Sequence, residues 1–250
     1  MQHSLNIWKV TDGKPGHESQ TDGLIAAIRA LRGVTETIIH VNKRPNIFPM
    51  FFCWLFRNRP SVFPAGTPDL IIGAGHRTHS WLLLARSICG GRTVVLMKPS
   101  LPLKRFDYVV VPKHDYVQPR ANVIETKGVL NAVTFVLEKD LQKGLMLIGG
   151  KSKHYEWDGS RIATQVKKIV NQDKKVQWTL TTSRRTPKSL LQLFEGLEIK
   201  IVPFEETDAT WLLELYKASG KIWVTPDSVS MVYESLSSGA ITNVFSLEPS

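Results

Sequence analysis

Short runs of apolar residues alternate with longer amphipathic segments along most of the chain. The runs, such as residues 145–148, hold about four to six residues and predict buried strands. The longer segments repeat apolar residues at helical spacing, as Leu24, Ile25, Ile28 and Leu31 do. Apolar strands that alternate with helices are typical of a parallel sheet covered on both faces. The pattern therefore predicts an α/β fold.

This alternation pauses once, at about residues 122–141, and then begins again. We predict strands at 5–10, 37–41, 69–72, 93–97 and 108–111, and then at 145–148, 176–180, 199–202, 221–224 and 241–245. We predict helices at 17–32, 48–56, 76–89, 160–170, 188–194, 209–217 and 228–237. Two such series are expected to form two doubly wound, Rossmann-like domains, 1–135 and 136–250, which face a cleft at the carboxyl ends of their strands.

Composition excludes several classes of protein. The 250 residues are 42% hydrophobic and 22% charged, which excludes wholesale disorder and suffices for two small cores. The longest apolar run, 47–56, is half the length of about 20 residues that a membrane-spanning helix needs. The first residues lack the basic and apolar pattern of a signal peptide, and Cys53 and Cys89 lack the spacing of a zinc or redox motif. We therefore expect a cytoplasmic protein.

The chain carries an excess of positive charge. Lys and Arg number 32 against 22 Asp and Glu, giving a net charge of +10, which favours anionic partners. The basic residues lie in short clusters beside glycines rather than in long runs, and no stripe of basic and aromatic residues is visible. This distribution favours phosphate sites and argues against a nucleic-acid partner.

Four loops share one design. Each follows a predicted strand and combines glycine or hydroxyl residues with Lys, Arg or His: Asp12-Gly13-Lys14-Pro15-Gly16-His17, Gly75-His76-Arg77-Thr78-His79, Gly149-Gly150-Lys151-Ser152 and Thr182-Ser183-Arg184-Arg185. Glycine lets the backbone approach an anion, and a following helix offers free N–H groups to it. The third loop is not a P-loop, because Leu145 stands where its first glycine belongs. The four loops together predict a shared anion site.

A fifth segment, 225–239, places polar residues at the start of the last predicted helix. Asp227 or Ser228 is expected to cap it, and Glu234 lies about one turn beyond Ser230 on the same face. Either that face borders the cleft, or Glu234 simply faces solvent.

As an ordered set, these motifs resemble the mitochondrial-fission Elm-type family over essentially the whole chain. That family in turn resembles the GT-B glycosyltransferases and the related sugar-nucleotide epimerases. The resemblance implies that Glu234 binds the ribose of a nucleoside diphosphate, with Ser230 and Met231 beside the phosphates and the Gly149-Gly150 turn facing the diphosphate. It places an acceptor against the first domain, on the side of these residues: Asp12, Gly13, Lys14, Gly16, Gly75 and Arg77. GT-B enzymes usually end in a helix that returns to the first domain, and we expect this chain to lack it.

The chemistry expected of such a site needs a base and positive charge. No Asp-x-Asp motif occurs, which indicates transfer without a metal, and no cofactor is expected besides the sugar nucleotide. Lys151, Arg184 and Arg185 are the candidates to neutralise the leaving diphosphate, with Thr182 and Ser183 in the same loop. His17 and His76, predicted at helix starts, are the candidate catalytic bases.

The segment Ile47 to Phe56 is apolar all round and has basic flanks at Lys43, Arg44, Arg57 and Arg59. It is either a helix buried under the sheet or a patch that meets an anionic membrane surface. The second interpretation would suit a lipid-linked acceptor and a location at the inner face of the membrane.

Three functions remain open. The leading hypothesis is transfer of a sugar from a nucleoside diphosphate to an acceptor. The second is epimerisation of a sugar nucleotide, although no clear acid–base pair is evident in the sequence. The third is a non-catalytic scaffold that binds division proteins or membranes, as the family resemblance implies.

Overall fold

A computed structural model describes residues 4–41 and 52–250 of the chain. It divides into two compact units, unit 1 (1–132) and unit 2 (133–250), whereas the sequence placed the boundary between 135 and 136. The segment before 136 belongs to unit 2 because Val136 N–H donates to the Ser238 carbonyl at 3.1 Å. The predicted α/β class with two Rossmann-like domains is confirmed.

Among its described residues, 4–41 and 52–132, unit 1 has six strands and two long helices. The strands are β1 (Leu5–Thr11), β2 (Val34–His40), β3 (Leu70–Ala74), β4 (Arg92–Leu96), β5 (Tyr108–Pro112) and β6 (Val123–Thr126). The helices are α1 (Pro15–Leu31) and α2 (His79–Cys89), with 3₁₀ turns at Leu103–Arg105 and Lys113–Asp115. All strand pairs are parallel, in the order β2-β1-β3-β4-β5-β6.

Both faces of this sheet are covered, as the apolar strands predicted. Successive strand residues point to opposite faces. Trp8 of β1 therefore joins one core cluster, with Leu82 of α2, while its neighbour Ile7 joins another, with Ile25 of α1.

Unit 2 contains five strands and three helices. The strands are β7 (Asp140–Leu147), β8 (Gln177–Thr181), β9 (Lys200–Val202), β10 (Ser219–Val224) and β11 (Ile241–Val244). The helices are α3 (Gly159–Gln172), α4 (Ala209–Ala218) and α5 (Val229–Ser237), with 3₁₀ turns at Lys188–Phe194 and Phe204–Glu206. The sheet is parallel, in the order β11-β10-β7-β8-β9, with α3 packed on one face and α4 and α5 on the other.

Several predicted elements differ from the observed ones. The pause at 122–141 contains β6 and the start of β7; β6 lies at an edge and has no fully buried residue, which weakens its apolar pattern. Residues 188–194 are helical as predicted, in the form of a 3₁₀ helix. Helix α2 begins at His79 rather than 76, because the Thr78 hydroxyl donates to the carbonyls of Ala74 and Gly75 and closes a turn there.

The predicted helix 48–56 lies partly outside the described residues, which omit 42–51. Residues 52–55 are helical. Within the described residues, no helix is long and apolar enough to cross a membrane.

The strand orders define where ligands meet these sheets. The order of strands reverses between β1 and β3 in unit 1 and between β7 and β10 in unit 2. In open parallel sheets, ligands bind beyond the carboxyl ends of the strands at such switch points. The loops that follow β1 and β3 are therefore the candidate site of unit 1, and those that follow β7 and β10 are the candidate site of unit 2.

Candidate functional site

The loop after β1 carries a buried carboxylate paired with a histidine. Asp12 Oδ1 lies 2.8 Å from His17 Nδ1, and the Asp12 side chain is only 1% exposed. The carboxylate can only accept, so Nδ1 carries the proton and Nε2 is left with its lone pair. Asp12 Oδ2 is buried and has no hydrogen-bond partner among the described residues. This pair has the arrangement that a general base requires.

Gly75, after β3, makes room for that histidine. A Cβ built on Gly75 would lie 2.3 Å from His17 Cε1 and 2.5 Å from Nδ1, and the φ angle of Gly75 is +84°. Both the space and the left-handed backbone therefore demand glycine here. The β3 loop thus holds the imidazole ring of α1 in one place.

An open pocket of about 540 Å³, here called the His17 pocket, lies beside this ring. His17 and Gly75 line it together with Lys14, His76, His79, Leu96, Met97, Lys98, Pro99, Ser100 and Asp115. His79 is buried, and its Nδ1 lies 3.2 Å from Ser100 Oγ. Two lysines and three histidines against one aspartate favour an anionic or hydroxylated ligand.

Of the predicted acceptor-side residues, Lys14 and Gly75 line this pocket, whereas Asp12, Gly13, Gly16 and Arg77 are not among its lining residues. Gly13 has a φ of +72° and, like Lys14, is exposed, while the Gly16 carbonyl accepts from Gln20. His76 and Arg77 are exposed in the turn before α2, so the prediction of His76 at a helix start is wrong. His76 lines the pocket without a buried carboxylate of its own.

In unit 2, the two glycines after β7 lie against the loop after β10. Gly149 N–H donates to Thr225 Oγ1 at 2.7 Å, and Gly150 N–H donates to Asp227 Oδ2 at 3.0 Å. A Cβ on Gly149 would lie 2.2 Å from the Asp227 carboxylate. Glycine therefore permits the close approach of these loops.

Asp227 is a fully buried carboxylate that also binds Arg185. Arg185 Nη2 lies 2.7 Å from Asp227 Oδ2, whose side chain is 0% exposed, and Arg185 Nη1 donates to the Lys151 carbonyl at 2.9 Å. Of the two residues expected to cap α5, Asp227 and Ser228, the N-cap position is taken by Ser228. The positive charge of Arg185 is therefore already paired with the carboxylate of Asp227. The main contacts of Arg185 join the β7, β8 and β10 loops.

The remaining members of the β8 loop differ in role. Arg184 is exposed, and its guanidinium carbon lies 5.0 Å from the centre of the Phe204 ring. Thr182 Oγ1 accepts from Phe204 N–H at 3.0 Å, and Ser183 N–H donates to Thr186 Oγ1 at 2.8 Å. Thr182 and Ser183 thus shape the loop, while Arg184 and the exposed Lys151 carry its accessible charge.

Helix α5 begins at the same edge of unit 2. Ser230 is in its first turn, where backbone N–H groups lack helical partners, and the Ser228 side chain makes no capping bond. The Met231 side chain packs against the apolar core, so only its backbone can face an anion.

Glu234 is buried rather than solvent-facing, with 9% of its surface exposed. Its Oε2 accepts from the Tyr216 hydroxyl of α4 at 3.2 Å. Burial, together with the charge of Glu234, raises the pKa of Tyr216 well above its ordinary value. The phenol therefore stays protonated and keeps the carboxylate in one orientation.

Sequence reasoning missed three features of these loops. It did not pair Asp12 with His17, it read Asp227 as a cap only, and it overlooked the loop at 97–100 that completes the His17 pocket. The last could have been found, because Lys98 and Ser100 follow a predicted strand as the other motifs do. No cluster of three or more potential metal ligands occurs among residues 4–41 and 52–250.

Two Rossmann-like domains, each with a parallel sheet and with polar loops at its switch point, are the elements of the GT-B fold. The chain belongs to the family described as Mitochondrial fission ELM1, whose model matches residues 15–250. A curated relative, the uncharacterized protein RP120 of Rickettsia prowazekii (strain Madrid E), is 23% identical over 96% of this chain and 83% of its own length. The predicted resemblance to the Elm-type family is confirmed.

Solved structures of similar fold include epimerases and glycosyltransferases. A putative UDP-N-acetylglucosamine 2-epimerase from Listeria monocytogenes has a TM-score of 0.62 at 11% identity, over 97% of this chain and 79% of that one. The heptosyltransferase WaaC of E. coli with ADP-2-deoxy-2-fluoro heptose has a TM-score of 0.57 at 10% identity, over 96% and 88%. The UDP-GlcNAc 2-epimerase from Neisseria meningitidis bound to UDP-GlcNAc has a TM-score of 0.56 at 12% identity, over 96% and 82%. At these identities the likeness shows the fold alone.

Proposed function

We propose that this protein binds a nucleoside-diphosphate sugar through unit 2 and transfers the sugar to an acceptor held by unit 1. The observation that carries the proposal is the Asp12–His17 pair beside an open pocket, because a buried carboxylate on Nδ1 leaves Nε2 able to take a proton. The structural relatives that hold UDP-GlcNAc or an ADP-heptose analogue support the choice of ligand class.

On the donor side, the diphosphate is proposed to lie between the β7 loop and the first turn of α5. The backbone N–H groups of that turn, near Ser230 and Met231, and the positive end of the helix favour an anion there. Lys151 and Arg184 add accessible positive charge. Glu234, held by Tyr216, is proposed to accept hydrogen bonds from the ribose hydroxyls.

On the acceptor side, His17 Nε2 removes the proton of an acceptor hydroxyl in the His17 pocket. The acceptor oxygen then forms a bond to the anomeric carbon, and the bond from that carbon to the diphosphate oxygen breaks. The nucleoside diphosphate leaves with the negative charge, which Lys151, Arg184 and the dipole of α5 stabilise. Asp12 stabilises the imidazolium that forms. The proposed reaction uses these side chains and backbone groups without a metal ion.

Calorimetric titration of the whole chain with nucleoside diphosphates tests the donor site. We expect UDP or another nucleoside diphosphate to bind, and Glu234→Ala to weaken it about 10- to 150-fold, the loss expected for one charged hydrogen bond. Lys151→Ala and Arg184→Ala should weaken the diphosphate more than the corresponding nucleoside, since both act on phosphate.

Lys174→Ala is the matched control, because Lys174 is an exposed lysine of unit 2 between α3 and β8. The Lys174→Ala variant should bind nucleoside diphosphates with the affinity of the wild type. If no nucleoside diphosphate binds the wild type, the donor site is refuted and the scaffold hypothesis gains. If a sugar nucleotide is converted to its epimer without an acceptor, the epimerase hypothesis replaces transfer.

An anionic membrane surface is proposed as a second partner. Trp54, Leu55 and Phe56 are at least half exposed, and the rings of Phe52 and Phe56 stack at 6.0 Å. Of the two interpretations of this segment, burial under the sheet does not fit residues 52 and 54–56, although Cys53 packs against the core of unit 1. Such an aromatic surface is typical of proteins that insert side chains among lipid headgroups, and would place the protein at the inner membrane face.

Only part of the predicted basic flank supports this partner. Arg57 is exposed, but Arg59 donates to the carbonyls of Pro64 and Gly66 at 2.9 Å and so holds its own loop. Lys43 and Arg44 lie outside the described residues.

Sedimentation with vesicles of phosphatidylglycerol and phosphatidylcholine tests the membrane proposal. We expect the wild type to sediment at low salt and less at high salt, because its basic residues act through screened charges. Replacing both Leu55 and Phe56 with Ser should abolish sedimentation without lowering Tm appreciably, whereas Leu31→Ser, at a leucine that is even more exposed, should change neither. A wild type that stays in the supernatant at low salt would rule this partner out.

A further inference from the structure

A second pocket, of about 290 Å³, lies beside the His17 pocket in unit 1 and has a different character. Leu101, Leu103 and Val117 line it, and all three pack against the core cluster beneath. Lys98 and Pro99 line both pockets, so the two adjoin at these residues. The His17 pocket is the polar one of the two. The second pocket, here called the apolar pocket, lies farther along the same edge of the sheet.

The apolar pocket has an exposed aromatic side chain in a strained backbone position. Tyr116 is 87% exposed, and its φ of 46° and ψ of 70° are left-handed. A bulky residue rarely adopts this conformation, which glycine or asparagine would adopt at lower cost. Strain of this kind persists where the surrounding structure imposes it, and it is concentrated at ligand sites.

The surrounding structure imposes it here through Lys98. Lys98 N–H donates to Asp115 Oδ2 at 3.3 Å, and Lys98 Nζ donates to the Asp115 carbonyl at 3.2 Å. These bonds tie the turn before Tyr116 to the residue that both pockets share. The backbone that carries Tyr116 is thus tied to the residue that lines both pockets.

The charged side chains that line the apolar pocket are all positive. Lys98 and Arg120 are cationic, and none of the described residues that line the apolar pocket is acidic. A purely apolar ligand would leave this charge unused, and a simple anion would leave the leucines and the tyrosine unused.

We propose that the two pockets bind the acceptor as one amphiphile, a lipid-linked phosphate. Its apolar chain lies on Leu101, Leu103, Val117 and Tyr116, its phosphate lies at Lys98, and the hydroxyl that receives the sugar lies in the His17 pocket. That this amphiphile receives the sugar rests on the proposed transfer function, but its binding to the two pockets does not. Lys98 then sets the distance between the chain and the reacting hydroxyl.

Calorimetry with butyl, hexyl and octyl phosphate, below their micelle concentrations and without nucleotide, tests this site on the whole chain. Affinity should rise about 4-fold for each added methylene group that the pocket buries, and inorganic phosphate should bind most weakly. A single affinity for all three chain lengths would overturn the proposal.

Two substitutions separate the two parts of the site. Tyr116→Asn should weaken octyl phosphate about 5- to 10-fold but leave inorganic phosphate unchanged, and it should fold normally because asparagine tolerates the left-handed conformation. Lys98→Gln should weaken every phosphate and leave octanol unchanged. If both variants bind octyl phosphate with wild-type affinity, the proposal that the two pockets form this binding site is refuted.

Further variants distinguish this site from the other surfaces of the protein. Leu31→Ser, and the Leu55→Ser/Phe56→Ser pair, should bind octyl phosphate as the wild type does; loss in that pair would place the amphiphile on residues 52–56 and overturn the proposal. Chain-length-dependent binding without any nucleoside diphosphate binding would refute the donor site while supporting this one. Nucleotide binding without chain-length dependence would refute this inference alone.

Discussion

His17→Ala is expected to lower the rate of sugar transfer by about 10²- to 10⁴-fold, the usual contribution of a general base, without changing the affinity for the donor. The imidazole lines the His17 pocket, whereas the proposed donor contacts all come from unit 2. The measurement is release of nucleoside diphosphate from the sugar nucleotide that binds best, with the acceptor present.

Asp12→Asn tests how the base is oriented. An amide can donate to Nδ1 and so stabilise the tautomer that carries its proton on Nε2, where it blocks proton removal. A loss of rate comparable to that of His17→Ala is expected, with donor binding intact. Since Asp12 is buried, His17→Ala should also cost about 1–3 kcal/mol of stability, and the rates must be compared well below Tm.

Two other histidines serve as comparisons. His76 lines the same pocket but lacks a buried carboxylate, so His76→Ala should cost less in rate than His17→Ala. His40→Ala, at an exposed histidine at the end of β2, should have no effect. A greater loss in His76→Ala than in His17→Ala would assign the base to His76.

Gly150→Ala is expected to weaken nucleoside-diphosphate binding by more than about 100-fold and to lower Tm. A Cβ on Gly150 would lie 2.1 Å from the Arg185 carbonyl oxygen and 2.2 Å from its carbon, so the β7 and β8 loops must move apart. That movement breaks the contacts of Asp227 with Gly150 and Arg185 and leaves a buried carboxylate without a partner, which typically costs about 3–5 kcal/mol. Calorimetry and thermal unfolding measure the two effects.

Gly159→Ala is the matched control in the same unit. Gly159 is the first residue of α3, and a Cβ there would meet the end of the Leu190 side chain at 3.2 Å and Trp157 Nε1 at 3.9 Å, with no backbone atom within 4 Å. Its stability and affinity should match the wild type. Arg185→Lys, which keeps the charge and loses the forked contacts, should give a smaller loss than Gly150→Ala. Wild-type affinity in Gly150→Ala would show that the β7 loop does not contact the ligand.

The predicted loops were found because their signal is local. Glycine or hydroxyl residues, a basic residue and a preceding apolar run lie within a few positions of each other, and all four loops do follow strands of a parallel sheet. The same rule would have included 97–100, which follows β4. Elements with weak local patterns were missed: β6 is an edge strand without a fully buried residue.

The function of individual basic residues was not local. Arg184 and Arg185 are neighbours in sequence, yet Arg184 lies over Phe204 and is exposed, whereas Arg185 binds a carboxylate 42 positions away. Adjacent residues of a loop point in different directions, and the sequence carries no measure of those directions. The same holds for Glu234, whose partner Tyr216 comes from another helix.

The sequence by itself determined the α/β class, the two domains and the loops that gather at the strand ends, because apolar periodicity and glycine placement act over a few residues. Only the tertiary structure decided which loops meet: Gly75 with His17, Gly150 with Arg185, and the apolar pocket with Lys98. These contacts depend on strand order and on distances of a few ångströms between segments that are far apart in the chain. Packing sets those distances, and no pattern along the chain records them.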